Sequence, residues 1–186
     1  MLYPAVFLDR DGVINHNHGY VHKRKDFDFI EGIFDVARYA HSQSYKLIVV
    51  TNQAGIGRGY YSEAEFHQLN DWMCRQFSAA GGPIERVYFS PYHPTAGLGK
   101  YLKDDISRKP HPGMIMQAQN DLSLNLAQSV LIGDKLSDIQ AGNAAGVGTN
   151  LLFSAERERP IDLGCLNCEL IATLHEAIPF LKRVMQ

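Results

Sequence analysis

Apolar residues along this chain fall into two rhythms. Short continuous runs rich in β-branched residues, at Ala5–Leu8, Leu47–Val50, Arg86–Phe89, Ser129–Ile132 and Thr149–Phe153, alternate with longer stretches whose apolar positions recur every three or four residues. Continuous runs suit strands covered on both faces, since a half-exposed strand would show every second side chain to water. The longer stretches predict helices near Gly32–Ser42, Glu63–Ala79, Pro112–Asn120, Ser137–Ala145 and Thr173–Val184. Ser62 and Glu65 stand where a capping box would open the second helix, and Phe66, Leu69, Met73 and Phe77 then form a core-facing stripe. Strand and helix in alternation predict an α/β fold with a parallel sheet of about five core strands. Two stretches break the rhythm, Asn15–Ile30 and Ser90–Arg108, and long connections inside a compact domain are usually functional. With no internal repeat, low-complexity segment or linker, residues 1–186 read as a single domain.

Charge and composition then narrow the function classes. Eighteen Lys and Arg against 20 Asp and Glu give a net charge of −2, so no broad basic surface favours nucleic acid. No apolar run approaches the roughly 20 residues that cross a bilayer, and the first charge, at Asp9, comes too early for a signal peptide. A cytoplasmic protein is expected. Three cysteines, Cys74, Cys165 and Cys168, are too few for a disulfide framework. The Cys165–Cys168 pair cannot by itself fill the four positions of a structural zinc. Ser154–Leu170, which carries Glu156–Pro160, reads as a solvated connection, and no metal is assigned to His16 and His18.

Candidate chemistry sits just after the predicted strands, where an open parallel sheet binds its ligands. Asp9-Arg10-Asp11-Gly12 follows the first run, Thr51-Asn52-Gln53 the second, and Gly133-Asp134-Lys135 with Asp138 the fourth. Lys109 stands before the Pro110-His111-Pro112-Gly113 turn. Several carboxylates converging on one crevice repel unless a cation or protons relieve them. A hard divalent ion with oxygen ligands is the natural relief, Mg²⁺ above all, which keeps several waters and takes one or two carboxylates plus a substrate phosphate.

In order and type, Asp9-x-Asp11-Gly12, Thr51, Lys109 and Gly133-Asp134-x-x-x-Asp138 resemble the four motifs of the haloacid dehalogenase-like phosphatases. A narrower resemblance, carried by Leu8–Asn15, Gly19–His22, Val50–Gly59 and Arg108–Met114, is to the heptose 1,7-bisphosphate 7-phosphatases. It implies a Rossmann-like three-layer domain without a large cap, with Asp9 as nucleophile and Asp11 as general acid and base. It further implies that Thr51, Asn52 and Lys109 stabilise the phosphoryl group, and that Asp9, the backbone carbonyl of Asp11 and Asp134 hold Mg²⁺. Asp138 would support Lys109 or a water on the ion. Asn17, His18, Gly19, Tyr20, Gln53, Arg108 and Lys135 would meet the substrate, Arg108 away from the reacting phosphate.

The sequence departs from that family in one loop. Many of its members hold a zinc through a Cys-Pro-His-His-Pro and Cys-x-Cys pattern, and the matching positions here are Ser90, Tyr92, Asp105 and Ser107. No thiolate remains, so no zinc is expected there. Apolar contacts from Tyr92, Leu98, Tyr101 and Leu102 are expected to order residues 90–107 instead, as a substrate-proximal loop. The expectation is therefore a Mg²⁺-dependent phosphomonoesterase for a small phosphorylated sugar, working as a monomer without nucleic acid or membrane. The alternatives are a phosphatase for another metabolite such as histidinol phosphate, and a non-catalytic phosphosugar-binding module. A nucleic-acid end phosphatase comes last.

Overall fold

The computed structural model describes residues 2–155 and 166–181. Cys165, the Glu156–Pro160 stretch and residues 182–184 of the last predicted helix lie outside them. Six strands form one parallel sheet in the order β3-β2-β1-β4-β5-β6. They are β1 (Ala5–Leu8), β2 (Lys46–Asn52), β3 (Ile84–Ser90), β4 (Val130–Gly133), β5 (Thr149–Phe153) and β6 (Glu169–Ile171). The five expected strands are present, two with the expected ends and three within two residues of them. The sixth, three residues long on the sheet's edge, begins at Glu169, inside the Ser154–Leu170 stretch expected to be a solvated connection, and is too short to show an apolar run.

The continuous apolar runs are explained by two cores, one on each face. Val6 and Leu8 of β1 face one way with Leu47 and Val49, under α1 (Ile33–Ser42), α3 (Glu63–Ala79) and the segment carrying Leu174, Ala177 and Leu181. Ala5 and Phe7 face the other way with Ile48 and Val50, under α4 (Gly113–Leu122) and α5 (Leu136–Ala145). Each buried Leu, Ile or Phe removed from water contributes roughly 1.5–3 kcal/mol, so the two-sided sheet is the main source of stability. The capping box of α3 forms as its sequence predicts. Glu65 N donates to Ser62 Oγ (3.2 Å), and Ser62 N donates to Glu65 Oε2 (2.8 Å).

Two elements differ from the sequence pattern. A single turn, α2 (Ala54–Gly57), follows β2, too short to show a helical period. Leu174–Phe180 is a 3₁₀ segment rather than an α-helix, as Pro179, which has no amide hydrogen to donate, would lead one to expect. Among the described residues no helix is long and apolar enough to cross a membrane.

Sheet order reverses at β1, whose neighbours are β2 on one side and β4 on the other. The crevice at the carboxyl ends of these three strands is where the motif residues lie.

Candidate active site

Asp9 extends the line of β1, its amide still donating to Ile132 O of β4 (3.1 Å). The residue is 6% exposed. Its Oδ1 accepts from Arg10 N (2.8 Å) and pairs with Lys109 Nζ (2.9 Å), while Oδ2 takes no hydrogen bond among the described residues. The chain then turns tightly, with the amides of Val13, Ile14 and Asn15 all donating to Arg10 O. Gly12 has φ +105°, and a Cβ there would stand 2.1 Å from Asp134 Oδ2. Only glycine permits both that conformation and the approach of Asp134.

Asp134 follows β4 directly, and Asp138 lies one turn into α5. Ligand-capable oxygens of Asp9, Asp134 and Asp138 all fall within 4.8 Å of one another. Gly133 permits this, since a Cβ there would meet Asp138 Cβ at 2.2 Å. Asp138 Oδ2 accepts from Lys135 N (2.9 Å), and Oδ1, buried without a directed hydrogen bond, forms an ion pair with Lys109 Nζ at 2.5 Å. Asp134 lacks an ion pair that close. Its Oδ1 is buried without any hydrogen-bond partner, and Lys135 Nζ stands 3.8 Å from Oδ2. Burial first, and then the charge of Asp9, push the Asp134 carboxyl up to about 7. A buried, unpartnered carboxylate oxygen beside a second free carboxylate oxygen is the donor set a hard cation takes. Asp11 does not share this carboxylate cluster; the implied metal contact from Asp11 is through its backbone.

Lys109 is buried, with Nζ also donating to Val50 O (2.8 Å). Burial alone would lower its pKa, but Asp138 and Asp9 outweigh burial and hold it above the ordinary lysine value. Its loop is fastened from β2, where Asn52 Nδ2 donates to Lys109 O and Lys109 N donates to Asn52 Oδ1, both at 3.0 Å. The Asn52 amide, expected on the phosphoryl oxygens, is thus engaged with the Lys109 backbone. Thr51 is buried beside it.

Asp11 is held by side chains whose part in the site the sequence did not disclose. Arg10 is fully buried, donates to Val21 O (2.6 Å) and reaches both Asp11 oxygens, at 3.1 and 3.0 Å. Its guanidinium lies over the rings of Phe27 and Phe66, 6.0 and 5.7 Å from their centroids. Asn15 Nδ2 donates to Asp11 Oδ1 (3.1 Å) and Gln53 Nε2 to Asp11 Oδ2 (2.9 Å). Gln53 also bonds Thr51 Oγ1 (2.9 Å) and accepts from Tyr61 OH (2.5 Å). It is 2% exposed, so this expected substrate contact is turned to the protein instead. An arginine between two acidic residues, with aromatics elsewhere in the chain to cover it, was the available signal.

The remaining predicted residues lie farther out. Asn17 Oδ1 accepts from Gly19 N (3.1 Å), and His18 pairs with Asp28 (3.1 Å) in an exposed groove also lined by Gly19, Tyr20 and Lys25. Neither has a recorded contact with the carboxylate cluster. Tyr20, at φ +52°, places its ring under Arg58, and Arg108 donates from Nη1 to Tyr92 O (3.0 Å).

The loop 90–107 is ordered differently from its sequence expectation. Leu98 and Leu102 are 62% and 51% exposed, so they do not pin it. Tyr101 does pack, against the small cluster of Ile56, Tyr61 and Phe66. The rest is polar. Ser107 Oγ lies 3.0 Å from Ser90 Oγ and 2.6 Å from Asp105 Oδ1, Lys103 Nζ pairs with Asp105 Oδ2 (2.6 Å), and that ammonium sits 4.1 Å from the Tyr92 ring centroid. The four positions expected to have lost zinc ligands therefore belong to one hydrogen-bonded and cation–π clasp.

Residues 106–160 match a family model described as HAD-hydrolase-like. The chain is 57% identical over 149 residues to the D-glycero-alpha-D-manno-heptose-1,7-bisphosphate 7-phosphatase of Burkholderia mallei, covering 80% of this chain and 79% of that one. It is 47% identical over 152 residues to the D-glycero-beta-D-manno-heptose-1,7-bisphosphate 7-phosphatase of Vibrio cholerae, covering 82% of each. Its fold is similar, at a TM-score of 0.79 and 24% identity over 96% of this chain and 97% of the other, to a D,D-heptose 1,7-bisphosphate phosphatase from B. bronchiseptica solved with magnesium and phosphate.

Proposed function

The chain belongs to the D-glycero-D-manno-heptose-1,7-bisphosphate 7-phosphatases of the haloacid dehalogenase-like hydrolases, and from that premise we propose that it removes the 7-phosphate of a heptose 1,7-bisphosphate with Mg²⁺. The observation that carries this reading is the meeting of Asp9, Asp134 and the Lys109 ammonium at one point of the crevice, with Asp134 Oδ1 unpartnered.

Asp9 and Asp134 would hold the ion together with the Asp11 carbonyl. Bound there, Mg²⁺ supplies positive charge against phosphate oxygens and lets neighbouring carboxylates stay ionised. Asp9 would attack phosphorus through whichever of its carboxylate oxygens does not face the ion, giving an aspartyl phosphate, which splits one difficult displacement into two easier ones. Lys109, already fixed by Asp138 and Val50 O, offers its charge to the phosphoryl oxygens without reorganising, which is where electrostatic catalysis gains most. Thr51 adds a hydroxyl at the same place. Asp11 protonates the departing sugar oxygen and then takes a proton from the attacking water, a service worth roughly 10² to 10⁴ in rate. Asn52 and Gln53 serve this chemistry by fastening Lys109 and Asp11.

The substrate assignment extends to residues 1–186 acting as one domain, and to a cytoplasmic monomer, since a doubly phosphorylated sugar stays in the compartment that makes it. Surface polysaccharide synthesis, through a nucleotide-activated heptose, is the implied pathway. Steady-state phosphate release from heptose 1,7-bisphosphate and from histidinol phosphate, with Mg²⁺ and with chelator, tests the reading. Mg²⁺-dependent release from the bisphosphate at the higher kcat/KM is expected; preference for histidinol phosphate would overturn the assignment.

A further inference from the structure

Arg10 is fully buried, yet of its guanidinium nitrogens only Nη2 has polar partners among the described residues. Nη2 donates to Asp11 Oδ1 (3.1 Å) and to Val21 O (2.6 Å), and it stands 3.0 Å from Asp11 Oδ2. Nε and Nη1, which carry three of the five N–H groups of a guanidinium, are buried without a partner. An arginine kept only to neutralise a carboxylate would present its fork and satisfy two nitrogens at once. Buried donors left unpaired weaken the fold, so a residue that tolerates them has its use elsewhere.

That use follows from where the guanidinium is fixed. The rings of Phe27 and Phe66, 6.0 and 5.7 Å away at their centroids, favour its charge without hydrogen bonds. Val21 O holds Nη2, and the Arg10 carbonyl accepts from the amides of Val13, Ile14 and Asn15, so the residue is anchored at both ends. Asp11 is the partner on the crevice side, its side chain 17% exposed against 0% for Arg10. Asn15 Nδ2 and Gln53 Nε2 each bring one more donor, to Oδ1 and Oδ2 respectively. Both amides are neutral and each serves one oxygen. Arg10 brings charge and faces both oxygens.

We propose that Arg10 is the positioning residue for the acid–base step, holding the Asp11 carboxyl in the orientation from which it serves the departing sugar oxygen. The inference rests on the phosphatase reading above and adds a residue to it. Being buried behind Asp11, Arg10 acts through that side chain and not on the substrate. In the first step the bond from phosphorus to the sugar oxygen breaks, the bond from Asp9 to phosphorus forms, and the Asp11 proton passes to the sugar oxygen. In the second step Asp11 takes a proton back from water. A carboxyl out of line with the sugar oxygen by about 1 Å loses roughly 10²-fold in rate. A leaving group that departs as a stable anion needs no proton and is spared that loss.

The test compares kcat/KM, which reports the steps up to departure of the leaving group, on heptose 1,7-bisphosphate and on 4-nitrophenyl phosphate. The proteins are the unaltered enzyme, Arg10→Met, Arg10→Lys and Asp11→Asn, all with Mg²⁺ and with their melting temperatures recorded. In Arg10→Met the value for the sugar ester falls about 10- to 100-fold, through kcat more than KM, and that for the nitrophenyl ester about threefold at most. Asp11→Asn moves the ratio of the two values in the same direction and further. Arg10→Lys keeps the charge without the planar group and recovers part of the ratio, and it carries the comparison where Arg10→Met fails to fold. Equal losses on the two esters would mean that Arg10 only supports the fold, and would overturn the inference while leaving the enzyme assignment standing. An unaltered protein that cleaves the nitrophenyl ester but not the heptose ester would instead bring down the heptose reading and this inference with it.

Discussion

Lys109 Nζ stands 2.5 Å from Asp138 Oδ1, both side chains being almost fully buried, so the charge presented to the crevice is anchored from behind. Removing one partner of a buried pair leaves the other uncompensated, which typically costs about 3–5 kcal/mol. Asp138→Asn is expected to lose about 3 kcal/mol in urea unfolding, somewhat less than the full range because Asp9 still faces Lys109. Its kcat falls more than its KM rises, since Lys109 matters most in the transition state. The Lys109 pKa is raised in the folded state, so the pair's contribution is complete at neutral pH and is lost only as pH climbs above the ordinary lysine range.

Asp134 shifts in the same direction, but in a lower pH window. Its carboxyl is raised from 3.8 to about 7 by burial and then by Asp9, so between these values the folded protein binds a proton that the unfolded chain has released. Metal-free protein is therefore expected to lose stability as pH rises from about 4 to about 7, and Mg²⁺ to restore it at the upper end. Asp134→Asn removes the buried charge. Its melting temperature with chelator at pH 8 should exceed that of the unaltered protein, and added Mg²⁺ should stabilise it far less, while turnover is lost. Thermal melts across pH, with and without Mg²⁺, check both statements.

Gln53 connects Thr51, Asp11 and Tyr61 through three hydrogen bonds at 2.9, 2.9 and 2.5 Å. Gln53→Ala frees Asp11 to leave its place, and is expected to lower kcat by about 10- to 100-fold with little change in KM, because acid–base work is what misplacement costs. Tyr61→Phe removes one bond and should cost about 1 kcal/mol of stability with a several-fold loss in kcat. A rise in KM alone in Gln53→Ala would return this residue to the role of a substrate contact.

Ser107 and Asp105 fasten the loop that ends at Arg108. Burial opposes ionisation of Asp105, but Lys103 and Ser107 prevail and hold it at about 2. The clasp's contribution is present above the ordinary carboxylate range and fades as pH falls toward 2. Asp105→Ala is expected to raise KM for the bisphosphate and to increase proteolysis within residues 90–107. A zinc-selective chelator should leave the melting temperature unchanged.

The sheet was legible because Val6, Leu8, Ala5 and Phe7 leave no polar position, which only a two-sided burial tolerates. The motif residues were legible because their spacing repeats a pattern set by the chemistry. What escaped was cooperation across the chain. Arg10 reads as a charged surface residue until Phe27 and Phe66 are seen beside its guanidinium, and the partners of Gln53 lie at positions 11, 51 and 61. The clasp of loop 90–107 was missed because apolar residues in the loop suggested packing, whereas Leu98, Leu102 and Ile106 stay in water.

The most direct measurement is acid quenching of the enzyme during turnover with Mg²⁺ and heptose 1,7-bisphosphate labelled at the 7-phosphate, followed by peptide mapping. The label should appear as an acyl phosphate on Asp9, accumulate further in Asp11→Asn because hydrolysis then lacks its base, and vanish in Asp9→Asn. Label on any other residue, or undiminished phosphate release from Asp9→Asn, would contradict the account.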